Sequence, residues 1–240
     1  MLRHAYRRVF FLYLMAIAPQ TESNLIDFIY SNYETDNTTW SSGDAEYLTA
    51  RRLCNAAIMR WEYLEGVRWT ELFTKLSSAS TGTKTTTGGD YDVACPDDMR
   101  VPPKTDDYVR VDGEYFQVIP PAKVQQLSGS TSRYVYFTGN PKLGYTLNFN
   151  TGLTLTTGHT IEYEYYRNAT YFTATTSTTE MSNPMFIAHY VLSKLYRGDG
   201  LLTESRDELQ IAENLLQEMK AENFEVMEDL VDGSTEGFGT

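Results

Sequence analysis

The sequence predicts an α+β fold: an α-helical bundle from N- and C-terminal helices, an inserted small antiparallel β sheet or barrel, and an extended C-terminal arm. Three observations carry this expectation. Apolar residues recur at steps of three and four from Asp44 to Leu76, and again after Asn183. Between them, from Tyr91 to Tyr171, the period falls to two, and Asp112-Gly113 separates two alternating runs as a tight primed turn requires. After Lys220 there is no basic residue, and acids interleave with apolar side chains. The expected segments are an opening stretch (1–19), a first helical part (20–76), a flexible Ser/Thr/Gly loop (77–90), a β insertion (91–172), a second helical part (182–223) and an acidic arm (224–240).

The opening stretch, MLRHAYRRVFFLYLMAIAPQ, places Arg3, Arg7 and Arg8 ahead of an apolar run and small residues, the pattern of a secretory signal. Three readings stand: a signal, an apolar segment that packs in place, or a stretch outside the working protein, with Met15 as its start. Thr21 to Tyr33 is a short amphipathic helix with Leu25, Ile26, Phe28, Ile29 and Tyr33 on its apolar side and Thr21 as its cap. From Asp44 to Glu65 a helix about 33 Å long is expected, at about 1.5 Å per residue. Its stripe is Tyr47, Ala50, Leu53, Cys54, Ala57, Ile58, Trp61 and Leu64, with Ser41 or Ser42 as cap. Gly66 bends or interrupts it, and Trp69, Leu72 and Phe73 carry the apolar side onward.

In the β region about five short strands are expected, among them the hairpin 107–119, then Arg133–Phe137, Leu143–Phe149 and Thr160–Tyr166. Pro120-Pro121 ends the second strand, and residues 122–127 have room for one helical turn. Asn183 caps the next helix and Pro184 takes its first position, where a missing N–H costs nothing. Gly198-Asp199-Gly200 stops it, and a last helix covers about Leu202 to Asn223, with Ser205 and Glu208 spaced as a capping box.

The 240 residues make one large domain or two small ones. Hydrophobic residues at 41% suffice for a core, and a net charge of −12 argues against a surface that grips phosphates. Cys54 reads as a core residue, Cys95 precedes Pro96 in a turn, and two cysteines make no disulfide framework. No apolar run approaches the ~20 residues of a membrane span.

The chemistry-bearing residues do not assemble into a site. His4, His159 and His189 have no His or Cys at metal-ligand spacing. There is no phosphate-cradling glycine loop and no nucleophile elbow. Asp97-Asp98 and Asp106-Asp107 read as solvated turn acids, and Glu162 and Glu164 as one wet strand face. Tyr163, Tyr165 and Tyr166 read as core or edge packing. The expectation is no enzyme, and no catalytic, cofactor or metal residue.

Two stretches carry a resemblance. One is ACPDDMRVP (94–102) leading into DDYVRVDGEYFQVIPP. The other is TIEYEYYRNATYF (160–172) leading into MSNPMFIAHYVLSKLYRGDG and AENLLQEMKAENFE. Over about residues 20 to 225 this order resembles the head-to-tail adaptor (connector) proteins of tailed bacteriophages. The resemblance implies a virion protein, made in the host cytoplasm, that forms a homo-oligomeric ring, usually of twelve copies. Such a ring joins the portal protein to tail or nozzle proteins. DNA passes through its lumen without specific binding, and an acidic wall suits that passage. The arm would dock on the portal through Phe224, Met227, Leu230 and Val231. The alternative from another class is a secreted or envelope-associated binding module with a Tyr-rich β face.

Overall fold

A computed structural model describes residues 20–33, 39–76, 92–127, 132–150 and 160–232, with side chains through residue 224. The expectations for the opening stretch 1–19, the Ser/Thr/Gly loop 77–90 and the last residues 233–240 lie outside the described residues. The chain divides into two compact units, one formed by Met1–Glu71 with Ala169–Thr240 and the other by Leu72–Asn168.

The first unit holds four helices among its described residues: α1 (Glu22–Tyr33), α2 (Ala45–Glu62), α3 (Met185–Gly198) and α4 (Leu202–Asp232). The Thr21 hydroxyl accepts the Asn24 N–H at 3.3 Å, and the Asn183 side chain accepts the Met185 N–H at 3.2 Å, so side chains absorb N–H groups that have no helical partner. The apolar stripes of all four helices meet in one core. Leu25, Ile26, Ile29, Ala50, Cys54, Ile58, Phe186, Ile187, Val191 and Ala212 are fully buried there.

Three local expectations are corrected. The cap of α2 is Asp44, not Ser41 or Ser42; its carboxylate accepts the Ser41 N–H at 2.6 Å. The helical path stops at Glu62, and Gly66 takes a left-handed φ of +75°, which glycine alone adopts freely. Phe73–Leu76 is therefore a strand rather than a continuing helix. Ser205 does not cap, because its hydroxyl donates to the Ser193 carbonyl at 2.8 Å inside the α3–α4 contact.

The second unit is a strongly curled sheet of seven to eight strands, a half-barrel, and the class is mixed α/β. The expected α+β class with a small antiparallel sheet is overturned. The strands are β1 (Phe73–Leu76), β2 (Asp92–Ala94), β3 (Met99–Val101), β4 (Tyr108–Val111), β5 (Glu114–Val118), β6 (Tyr134–Asn140), β7 (Gly144–Phe149) and β8 (Ile161–Arg167). Their order is β1-β8-β4-β5-β6-β7-β2, with β3 also on β8. Asp112 and Gly113 both take positive φ, +49° and +88°, in the two-residue turn between β4 and β5. β5 and β6 run parallel, pairing Gln117 with Tyr134 and Val118 with Val135. The prolines after β5 block a simple hairpin return, and a 3₁₀ segment, Pro121–Leu127, carries the chain over instead. Side chains alternate along β4 and β8, so Val109, Val111, Ile161, Tyr163 and Tyr165 enter the core with Phe116, Val135, Leu147 and Phe149.

The extended arm is corrected in the same way. Residues 224–232 belong to α4, which runs unbroken for 31 residues from Leu202 to Asp232. Alanine, leucine, glutamate, glutamine, methionine and lysine dominate this run, and all favour helix.

Candidate interaction surface

Polar anchors fix the inner face of α2. Glu22 is fully buried and takes the Arg51 Nε–H at 2.7 Å. Asn55 donates to the Phe172 carbonyl at 3.0 Å and accepts its N–H at 2.8 Å. Glu62, also fully buried, accepts the Ala169 N–H at 3.2 Å and the Tyr171 hydroxyl at 2.6 Å. Trp61 and Trp69 stack with centroids 5.1 Å apart, and the Trp69 indole donates to the Trp61 carbonyl at 2.6 Å. Burial pushes the Cys54 thiol up, with Glu22 adding to the effect, so it stays protonated and inert.

With that face fixed, the opposite face of α2 points to water. Leu48, Arg52, Ala56, Met59 and Tyr63 follow one another at steps of four and three, within about 80° around a helix of 3.6 residues per turn. Met59 is 48% exposed and Tyr63 56%, while Leu48 and Ala56 also lie in the exposed class. Arg52 sits exposed among them with no ion-pair partner among the described residues, and Arg60 pairs with Glu213 at 2.5 Å on one flank. Between Tyr47 and Trp61 no acid interrupts this surface. Its end residues Leu48 and Tyr63 are about four turns apart, and the helix's stronger period belongs to the buried stripe. The recurrence at 48, 52, 56, 59 and 63 was the signal that sequence reading missed.

The expected docking residues fall at the far end of α4. Asn223 is buried there, accepting the Thr70 N–H at 2.9 Å and donating to the Arg68 carbonyl at 3.0 Å. Phe224 follows it, 46% exposed, with the Lys220 ammonium 5.9 Å from its ring centroid. Positions 224, 227, 230 and 231 fall within about 120° of the helix circumference. Positions 225, 228, 229 and 232, all acidic, fall outside that arc.

The remaining candidate residues are dispersed. His189 Nδ1 lies 2.5 Å from the Glu208 carboxylate across the α3–α4 contact, and its ring meets Phe28 edge-on at 6.4 Å. His4 and His159 lie outside the described residues. The Asp98 carboxylate accepts the Tyr165 hydroxyl at 3.0 Å, while Glu162 pairs with Arg110 at 3.4 Å. Burial first, then Asp98, holds Tyr165 protonated; burial and Cys95 do the same for Tyr163. The Tyr-rich strand thus turns two of its three tyrosines into the core, and Tyr166 is left half-buried beside Phe73 at 5.2 Å. Among the described residues no group of three His, Cys, Asp or Glu is placed to hold a metal, and no helix is long and apolar enough to cross a membrane.

The two stretches that carry the phage-adaptor resemblance are bonded to each other. The Asn168 N–H donates to the Asp98 carbonyl at 2.7 Å, and Met99 pairs with Arg167 across β3 and β8. No protein-family model matches the chain, and no curated protein matches it.

Proposed function

We propose that this chain is a non-enzymatic structural protein of a tailed-phage virion, one copy of a ring that joins the portal vertex to the tail and surrounds the DNA path. The observation that carries the reading is the end of α4. Its apolar positions continue past Asn223, which bonds to Arg68 and Thr70, and a helix end of that composition calls for a second surface. Phe224, Met227, Leu230 and Val231 are the apolar positions that meet a partner.

Two further features support it. A net charge of −12 suits a wall that phosphates must slide past without sticking. The Pro-Asp turn at 96–98 and the strand ending at Arg167, on which the resemblance rests, form one hydrogen-bonded element.

The test is to mix the purified chain with the portal protein of the same genome and weigh the products by native mass spectrometry, with the chain alone as control. A portal ring that gains a full set of copies is the expected result, and it supplies the stoichiometry. A portal ring that emerges with its own mass, beside free chain, rejects the adaptor reading.

A further inference from the structure

One edge of β6 lies open and uncharged. We propose that two copies of the chain join there, β6 against β6, antiparallel about a two-fold axis at Thr138, so that the sheet of one copy continues into the sheet of the other. The inference concerns the chain by itself and does not rest on the ring of the proposed function.

The strand register defines the opening. β5 covers β6 only at Tyr134 and Val135, whereas β7 runs beside it as far as Asn140. Beyond Val135 no strand lies on the β5 side of β6 among the described residues, and Thr138, Gly139 and Asn140 are exposed. Alternation decides which backbone groups face outward. The Tyr134 carbonyl accepts the N–H of Asn150, just past β7, while the Val135 carbonyl accepts the Ile119 N–H on the β5 side. Phe137 and Gly139 follow Val135 at steps of two, so their N–H and C=O groups point away from β7. Tyr145, opposite Gly139, likewise turns its carbonyl away from β6, to the Cys95 N–H. The end of the edge is held in shape, because the Asn140 side chain accepts the Lys142 and Leu143 N–H groups at 3.0 Å each and fixes the turn.

This edge lacks the protection that the others have. β1, β2 and β3 have four, three and three residues, and each carries a charge, Lys75, Asp92 or Arg100. Short, charged edges resist the addition of a further strand. β6 has seven residues, YVYFTGN, with no charge and no proline, and its tyrosines, valine, phenylalanine and threonine favour strands.

Charge also names the occupant. Copies of a chain with a net charge of −12 repel one another. From Tyr115 to Ile161 there is no acid, so the β6–β7 hairpin is where two copies approach without that repulsion. With Thr138 facing its own counterpart, Phe137 of each copy stands opposite Gly139 of the other, and each such pair exchanges both its N–H···O bonds. The same surface serves on both copies, so the contact closes as a pair and does not run on.

The experiment uses the full chain without any portal. Sedimentation velocity over a concentration series reads pairing, and native mass spectrometry weighs the product. A contact this small is weak, and the expected wild-type result is a pair of chains with a midpoint between about 10 µM and about 1 mM. Thr138→Lys and Thr138→Glu each set like charges face to face at the axis and are each expected to raise the midpoint at least about tenfold. Mixed in equal amounts, with one variant isotope-labelled so that mixed pairs weigh differently, they are expected to form mixed pairs at least as readily as wild type pairs with itself, since an ammonium then faces a carboxylate. That rescue uses the same two proteins that fail alone, so a folding defect does not imitate it.

A wild-type chain that stays single at about 1 mM overturns the proposal, as do three proteins that pair equally well. Variants that lose pairing and stay apart when mixed overturn it too, because Thr138 then does not face its counterpart.

Discussion

Glu62 and Tyr171 share a 2.6 Å hydrogen bond between carboxylate and phenol, 109 residues apart in the chain. Glu62 is the last residue of α2, and Tyr171 lies just after the chain re-enters the helical unit at Ala169. The same carboxylate takes the Ala169 N–H. One buried acid therefore ties the first pass of the chain to the second, with Asn55 and Phe172 forming a second tie one loop residue further on.

Replacing Glu62 with alanine removes the carboxylate that the Ala169 N–H and the Tyr171 hydroxyl both donate to. The expected loss of stability is about 2–4 kcal/mol. Tyr171→Phe removes only one donor and is expected to cost about 1 kcal/mol. Urea denaturation followed by circular dichroism measures both. Equal losses for the two variants would show that the Ala169 N–H contributes nothing.

The Glu22–Arg51 pair makes a sharper case, because Glu22 is fully buried and Arg51 is not. Arg51→Met strands a carboxylate in an apolar core, at an expected cost of about 3 kcal/mol. Adding Glu22→Gln removes the stranded charge and is expected to recover at least half of that loss. A double variant as unstable as the single one would mean that Arg51 acts through packing of its stem rather than through its charge.

These ties show what the sequence could and could not disclose. The inner stripe of α2 was legible because Tyr47, Ala50, Cys54, Ala57, Ile58 and Trp61 keep one helical period, and all are buried. The Asp112-Gly113 turn was legible because only a few residues tolerate positive φ in succession. The strands β1, β2 and β3 were not. They have three or four residues each, and what holds them is pairing with β7 or β8, many residues away. The parallel β5–β6 pair was hidden for the same reason, since no local pattern distinguishes it from a hairpin. At the interaction surface, the apolar positions after Asn223 were legible as a set. Their helical state was missed because acids and glycine nearby suggested a loose tail. The exposed α2 face went unseen because an arginine sits in its middle.

The tip of the β6–β7 hairpin supplies a prediction about backbone strain. Gly139 has φ +105° and Gly144 φ +87°. A Cβ on Gly139 would come within 2.2 Å of the Gly144 carbonyl oxygen, whereas one on Gly144 meets nothing within 4 Å. Gly144→Ala is expected to cost about 1 kcal/mol for the left-handed φ alone. Gly139→Ala carries the steric clash as well and is expected to cost at least about 2 kcal/mol. Hydrogen exchange at Thr138 and Thr146, which pair across the hairpin, should speed up more in Gly139→Ala. Equal exchange rates in the two variants would rule out the clash.

The last prediction concerns alkaline pH. Tyr47 is 2% exposed, and burial first, then the neighbouring Glu22, push its phenol up to about 12. In the unfolded chain a tyrosine releases its proton near 10. Below about pH 10 both states hold the proton, and Tyr47 contributes its full share to stability. Between about pH 10 and 12 the folded chain keeps a proton that the unfolded chain has lost, so the free energy of unfolding falls as pH rises. Tyr163 and Tyr165 are shifted in the same direction by burial, so the sheet unit loses stability over the same alkaline range. Urea midpoints at pH 8, 9, 10 and 11 should therefore be level at first and then decline. Tyr47→Phe removes one linked proton, and its decline in helical signal above pH 10 should be shallower than that of wild type by at most one proton. Superimposable profiles for the two proteins would mean that Tyr47 titrates freely in the folded chain and that its burial beside Glu22 has no electrostatic consequence.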